Sequence, residues 1–115
     1  MMNSQELETA VRLKMNLVIL VLHDDAYGMI GWKQQDMNLP DFGLSFGNPD
    51  LVRYAENYGA TGHRVNATDE LASLLDHCLA ESGVHLIDCP VDYTDSQRQL
   101  FTDIPERSRA LTFES

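Results

Sequence analysis

The sequence predicts an α/β fold, an open parallel sheet with flanking helices. Two apolar runs, and the order of what lies between them, carry that expectation. Residues 17–22 (LVILVL) are consecutive Leu, Val and Ile side chains. So short a continuous run reads as a strand covered on both faces, as in parallel sheets. Residues 84–91 (VHLIDCPV) form a second extended run, and helix-like segments alternate with the strand-like ones. Such alternation argues for right-handed crossovers in an open sheet.

Taken in order, Asn3 or Ser4 is a candidate N-cap, with Glu6 suited to a first helical turn. Leu7, Ala10 and Val11 recur at helical spacing, Glu8 and Arg12 make an outward i, i+4 pair, and the helix is expected to end near Lys14. The chain thus opens helix then strand. A crossover helix should leave one strand and enter another, so a strand is expected upstream of it. After the turn HDDAYG, residues 27–35 read as a helix despite Gly28 and Gly31, which let backbone or a ligand come close. Residues 36–48 (DMNLPDFGLSFGN) are loop. Asn48-Pro49 reads as an N-cap followed by Pro at the first helical position. Leu51, Val52, Ala55 and Tyr58 form the inward face of that helix, and Gly59 ends it. His63-Arg64-Val65 is a short strand candidate. Thr68 is expected to cap the next helix, with Leu71, Leu74, Leu75, Cys78 and Leu79 as its apolar stripe and Ser82-Gly83 as its stop. From Asp92 onward the tail is polar, expected to lie on the surface or be disordered.

The chain of 115 residues is one domain at most. Its 43% apolar and 23% charged residues are ordinary for a soluble globular chain. No run approaches the roughly 18 apolar residues that cross a bilayer. The start, MMNSQELETA, lacks the basic and apolar regions of a secretory signal. Only Cys78 and Cys89 occur, in no metal-ligand spacing, and a cytoplasmic, reducing setting suits them. Net charge is −10 with no basic cluster. This speaks against nucleic-acid partners, and the acidic excess reads as solvated surface.

The turn after the first strand is where chemistry is expected, because ligands in open α/β sheets bind beyond the carboxyl ends of the strands. Asp24 and Asp25 there have two readings: polar turn residues, which Asp favours, or oxygen ligands for a hard cation or a phosphate–metal cofactor. Adjacent residues do not readily aim at one ligand, so one of the two would do that work. Histidines 23, 63, 77 and 85 are scattered, show no ligand spacing and read as surface or satisfied core residues. The sequence shows no activated serine or cysteine nucleophile and no glycine-rich phosphate loop.

The stretch MNSQELETAVRLKMNLVILVLHDDAYGMIGWKQ resembles the pyrophosphate-binding region of thiamine-diphosphate enzymes, above all the large, catalytic subunit of acetolactate synthase. The similarity continues collinearly through FGNPDLVRYAENYGATGHRV and VHLIDCPVDY. It implies that residues 1–95 are the C-terminal portion of a thiamine-diphosphate-binding domain lacking its first strands, and that 96–115 are a polar C-terminal tail. The family signature is Gly-Asp-Gly followed at a distance by Asn-Asn. Asp24 falls on the second Asn, which implies a Mg²⁺ ligand, while His23 replaces the first and is not expected to ligate. Ala26 matches the position whose backbone carbonyl completes the metal site. Tyr27, Gly28 and Met29 fall in the cofactor-binding stretch, with Met29 lying against the aminopyrimidine. An aliphatic Ile30, where related decarboxylases carry a proton-handling glutamate, favours addition to a second 2-oxo acid over protonation. Trp32 falls one residue before a tryptophan that shapes the second-substrate pocket, and packing on the helix explains it equally well.

Departures from the family count as well. The Gly-Asp-Gly half has no counterpart here and would fall upstream of Met1, on the strand found wanting above. The domains carrying the cofactor-activating glutamate and, in biosynthetic members, FAD also have no counterpart. The expectation is thus a C-terminal fragment of an acetolactate synthase. The parent would use thiamine diphosphate and Mg²⁺ on pyruvate as a cytoplasmic homo-oligomer, in branched-chain amino acid or acetoin pathways, with FAD possible in the parent but not bound by this segment. The fragment alone is expected to be inactive. Alternatives are another thiamine-diphosphate carboligase or decarboxylase of sulfoacetaldehyde or glyoxylate type, or a non-catalytic remnant that packs against partners. A receiver-type signalling module would need a lysine after its last strand, and the only lysines are Lys14 and Lys33.

Overall fold

The computed structural model describes residues 3–112. Its elements are α1 (Glu6–Arg12), β1 (Leu17–His23), α2 (Gly28–Asp36), α3 (Leu51–Asn57), β2 (Thr61–Arg64), α4 (Glu70–Ala80), β3 (Val84–Pro90), α5 (Thr94–Arg98), a π-helical turn (Gln99–Asp103) and α6 (Ile104–Thr112). They fall into two compact units, Met1–Asp25 with Phe46–Pro90, and Ala26–Ser45 with Val91–Ser115. Among the described residues no helix is long and apolar enough to cross a membrane.

The first unit is a parallel three-stranded sheet in the order β1-β3-β2. Leu17 pairs with Val84 and His23 with Pro90 along β1–β3, while Thr61 pairs with His85 and Arg64 with Asp88 along β2–β3. The central strand is β3, whose residues from Val84 to Cys89 are all buried. This shifts the expectation for the first apolar run. β1 lies at a sheet edge, and Leu17, Leu20 and Leu22 are 37–52% exposed, so it is β3, less continuously apolar in sequence, that is covered on both faces.

Side chains alternate between the faces of a strand. On one face Val84 and Leu86 meet Leu7 and Ala10 of α1 and Leu51 and Ala55 of α3, with Ile19 and Val21 of β1 at the border. α3 comes closest at Gly62 of β2. A Cβ there would stand 2.7 Å from the Cα of Val52 and 2.9 Å from its carbonyl carbon. On the other face lie His63, His85 and Ile87, with Cys78 of α4 beside the two histidines.

Several helix boundaries differ from the sequence pattern for local reasons. α1 starts from Gln5 with no side-chain cap. Asn3 and Ser4 contribute their carbonyls instead, accepting from the N–H groups of Glu6 and Leu7 at 3.2 Å. The α3 cap is Asp50, whose Oδ1 accepts from the N–H of Val52 at 3.1 Å and of Arg53 at 3.3 Å. Asn48, the expected cap, donates to Asp25. Gly59, at φ +84°, ends α3 in the left-handed conformation expected of it. α4 begins after Asp69 rather than on a Thr68 side-chain cap, and Glu70 reaches back to accept from the N–H of Asn66 at 3.1 Å. Its stripe buries Cys78 and half-buries Leu71, Leu74 and Leu75, but Leu79, next to Cys78 and so about 100° round the helix from it, is 71% exposed.

In the second unit, residues 37–45 return beside the start of α2. The N–H of Tyr27 donates to the Leu44 carbonyl at 3.0 Å, and Ala26 bridges Ser45 antiparallel. The tail carries helix over most of its length in α5, the π turn and α6. Arg98 holds this stretch locally, with Asp95 at 3.6 Å and Asp103 at 3.7 Å.

Candidate functional site

Within the first unit, the carboxyl ends of the three strands are joined by one chain of polar contacts. Asp88 of β3 sits in its middle, its side chain 3% exposed. His23, the last residue of β1, donates from Nε2 to Asp88 Oδ1 at 2.6 Å. Arg64, the last residue of β2, donates from Nε to Asp88 Oδ2 at 2.8 Å. A carboxylate accepts on both oxygens, so the two charge-assisted bonds answer the burial of its charge. The guanidinium is raised above its ordinary value by the hydrogen bond and the charge of Asp88, which fixes it as a cation. Its other arm reaches Asp50 Oδ1 at 3.4 Å and so ties the sheet to the N-terminus of α3.

The chain of contacts continues into the turn after β1. His23 Nδ1 lies 3.0 Å from Asp25 Oδ1, and Asn48 donates to the same oxygen at 2.6 Å. Asp25 itself stands at φ +55°, the left-handed region that Asp tolerates in turns. Asp25 is bound into the turn by His23 and Asn48, and Asp24, immediately after the strand, is exposed as Asp25 is. Of the four carboxylates at this end of the sheet, Asp88 and Asp50 are paired with Arg64, and Asp25 is held by His23 and Asn48.

In the second unit, Tyr27 precedes the first turn of α2, and Gly28, Met29 and Ile30 form that turn. Tyr27 and Met29 are each 55% exposed and Ile30 is 53% exposed, so three sizeable side chains stand in contact with solvent at one helix start. Gly31 packs close to the loop, where a Cβ would lie 3.3 Å from Leu44 Cδ1. Trp32 is half-buried and meets Tyr93 and Phe101 edge-on, with ring centroids 6.3 and 6.1 Å away. These contacts are the packing role for Trp32.

The sequence pattern gives Arg64, Asp88, Asn48 and Asp50 no role at the site; Asn48 reads only as a helix cap and Arg64 only as part of a strand. Asp88 had a signal, a lone acid within an apolar strand. Its partners had none, since only the parallel register brings Arg64 beside it. Asp24, Ala26, Tyr27, Gly28, Met29 and Trp32 occupy the end of β1, the turn and α2.

Residues 1–89 match the family described as thiamine pyrophosphate enzyme, C-terminal TPP binding domain. Acetolactate synthase of Bacillus subtilis (strain 168) is 44% identical over 94 residues, covering 82% of this chain and 16% of that protein. A catabolic acetolactate synthase of Raoultella terrigena is 35% identical over 94 residues, covering 82% of this chain and 17% of that protein. The fold is similar to that of benzoylformate decarboxylase from Polynucleobacter necessarius, with a TM-score of 0.68 at 26% identity over 76% of this chain and 17% of that one. The chain thus spans about a sixth of the length of these relatives. On this match, over most of its length, the chain belongs to the thiamine pyrophosphate enzyme family, in the C-terminal TPP-binding domain.

Proposed function

We propose that this chain forms the cofactor-gripping part of an acetolactate synthase, which decarboxylates pyruvate and joins the acetyl unit to a second 2-oxo acid. The observation that carries the reading is the 44% identity to the Bacillus subtilis acetolactate synthase, collinear through the turn after β1. The donor set fits the group implied. A carboxylate at residue 24, exposed at the carboxyl end of a parallel strand, is a hard oxygen ligand of the kind Mg²⁺ takes. In this reading Asp24 ligates the metal through its side chain and Ala26 through its carbonyl. Tyr27, Gly28 and Met29 receive the cofactor, and Trp32 stiffens the start of α2 from behind through Tyr93 and Phe101. When bound, thiamine diphosphate supplies the electron sink for loss of CO₂, with Mg²⁺ neutralising its diphosphate.

The chain's own residues do the positioning. The Asp88–His23–Asp25–Asn48 contacts fix the turn, so that Asp24 emerges from a rigid strand end rather than from a mobile loop. Ile30 is apolar and offers no proton, which suits carboligation better than simple decarboxylation. The structural neighbour is a decarboxylase, and the second reading is accordingly another thiamine-diphosphate decarboxylase or carboligase, of sulfoacetaldehyde or glyoxylate type. The parent would act as an oligomer in the cytoplasm, a setting that suits the two free, buried cysteines.

A chimera tests this. The segment of the Bacillus subtilis acetolactate synthase that aligns with this chain is replaced by it, and acetolactate is measured from pyruvate. Activity that depends on Mg²⁺ and thiamine diphosphate is expected, and Asp24→Ala should raise the Mg²⁺ needed at least tenfold. The 115-residue chain by itself should form no acetolactate. A folded chimera that binds the cofactor yet yields only acetaldehyde from pyruvate would favour the second reading. An Asp24→Ala chimera with unchanged Mg²⁺ dependence would refute the ligand assignment.

A further inference from the structure

On the sheet face away from α1 and α3, three ligand-type side chains converge from three elements: His63 of β2, Cys78 of α4 and His85 of β3. One donor atom from each lies within 4.8 Å of the others. His63 Nε2 and His85 Nδ1 share a hydrogen bond at 3.2 Å, which a bound ion would replace, and the rings stack with centroids 5.4 Å apart at 26°. Two imidazole nitrogens on one tetrahedral zinc, each about 2.0–2.1 Å from it, stand roughly 3.3 Å from one another. The histidine pair is therefore already at the spacing a shared ion demands. Cys78 is 1% exposed and His85 2% exposed.

We propose that His63, Cys78 and His85 form a site for a thiophilic divalent ion, Zn²⁺ by chemistry, that clips α4 onto the sheet. Two imidazoles and a thiolate are a donor set for zinc and not for Mg²⁺, so this site is separate in chemistry, as in residues, from the acidic strand ends. His63 is held below its ordinary value by burial and by the charges of His85 and His77, which favours the neutral imidazole that binds metal. Burial and the charge of Glu81 raise the Cys78 thiol, and binding would release its proton, S–H giving S–Zn and a proton to solvent. The fourth position falls to water or to His77, whose ring stands edge-on to His63 with centroids 6.2 Å apart.

The test is a Co²⁺ titration of the purified, reduced chain followed by absorbance, then displacement with Zn²⁺. One equivalent should give tetrahedral ligand-field bands with a thiolate charge-transfer band, and Zn²⁺ should erase them and raise the melting temperature. Cys78→Ser should remove the charge-transfer band. Cys78 is a core residue, so His63→Gln, on a half-buried residue, provides the second variant. It should keep the wild-type circular dichroism and bind at least tenfold more weakly. The absence of a thiolate band from the folded chain would overturn the site. So would equal affinity in His63→Gln, or a band that persists in urea, where the three side chains no longer meet.

Discussion

Gly62→Ala should cost the first unit a large share of its stability, and the size follows from the packing of α3. The added Cβ would press on the Val52 backbone, 2.7 Å from its Cα and 2.9 Å from its carbonyl carbon, with the carbonyl oxygen nearer still. Carbon pairs rest at about 3.5–4.0 Å, so α3 would have to withdraw by roughly 1 Å. A backbone cannot rotate out of the way as a side chain can, and α3 carries Leu51 and Ala55 into the core. Overpacking of this kind costs about 1–3 kcal/mol and occasionally more. Against it stands the loss of unfolded-state freedom on replacing glycine, worth about 0.4–1 kcal/mol. The clash exceeds the entropy gain, and a net loss of about 2 kcal/mol is expected. For a chain of this size that corresponds to a fall of roughly 10 °C in Tm. Gly47→Ala is the matched control, because no atom lies within 4 Å of a Cβ there and its φ is outside the left-handed region. It should melt at or slightly above wild type. Thermal and urea melts followed by circular dichroism read both variants. If Gly62→Ala melts at the wild-type temperature or higher, the close approach of α3 to β2 is wrong.

Two further predictions concern the polar contacts. Asp88→Asn keeps the shape of a buried side chain but turns one acceptor into a donor facing His23 or Arg64; urea melts should show a loss of about 2 kcal/mol, and a loss under 0.5 kcal/mol would refute the central role of the carboxylate. In the second unit, Asp92 accepts from the Thr94 hydroxyl at 2.6 Å and from its N–H at 2.9 Å, and these bonds hold the carboxyl below its ordinary 3.8. A depressed carboxyl contributes stability that is present above 3.8 and lost as pH falls through the lowered value. Carboxyl-carbon NMR should find Asp92 titrating below 3.8 in the wild type and closer to it in Thr94→Ala, and identical midpoints would refute the capping.

How far the sequence could be read depended on whether a signal was local. Strand and helix order followed from hydrophobic period, and the glycine that ends α3 from its conformational freedom. The cap of α3 did not, since Asn48-Pro49 is a good local start. It was displaced because Asn48 has a tertiary partner in Asp25, while Asp50 serves both the helix and Arg64. The six apolar residues of β1 predict a covered strand because they say nothing about how many neighbours it has. Asp88 and its partners lie 65 and 24 residues apart in sequence, a separation no pattern spans. The scattered histidines show no ligand spacing, yet parallel pairing brings His63 and His85 together without any spacing rule. The helical tail leaves no apolar period to read, because its surface is polar and its first turns carry ion pairs rather than an apolar stripe.

The central strand carries Asp88 on one face and His85 on the other, three positions apart. A slip of β3 by one residue would drive the carboxylate toward α4 and the imidazole into the apolar packing of α1 and α3. Neither would then have its partners, and each would be a buried polar group without a hydrogen bond. An all-apolar strand in this place could slide past its neighbours with little loss. The two polar residues thus act as a two-sided key, one tooth per face, that admits a single alignment of the sheet before any cofactor or metal arrives.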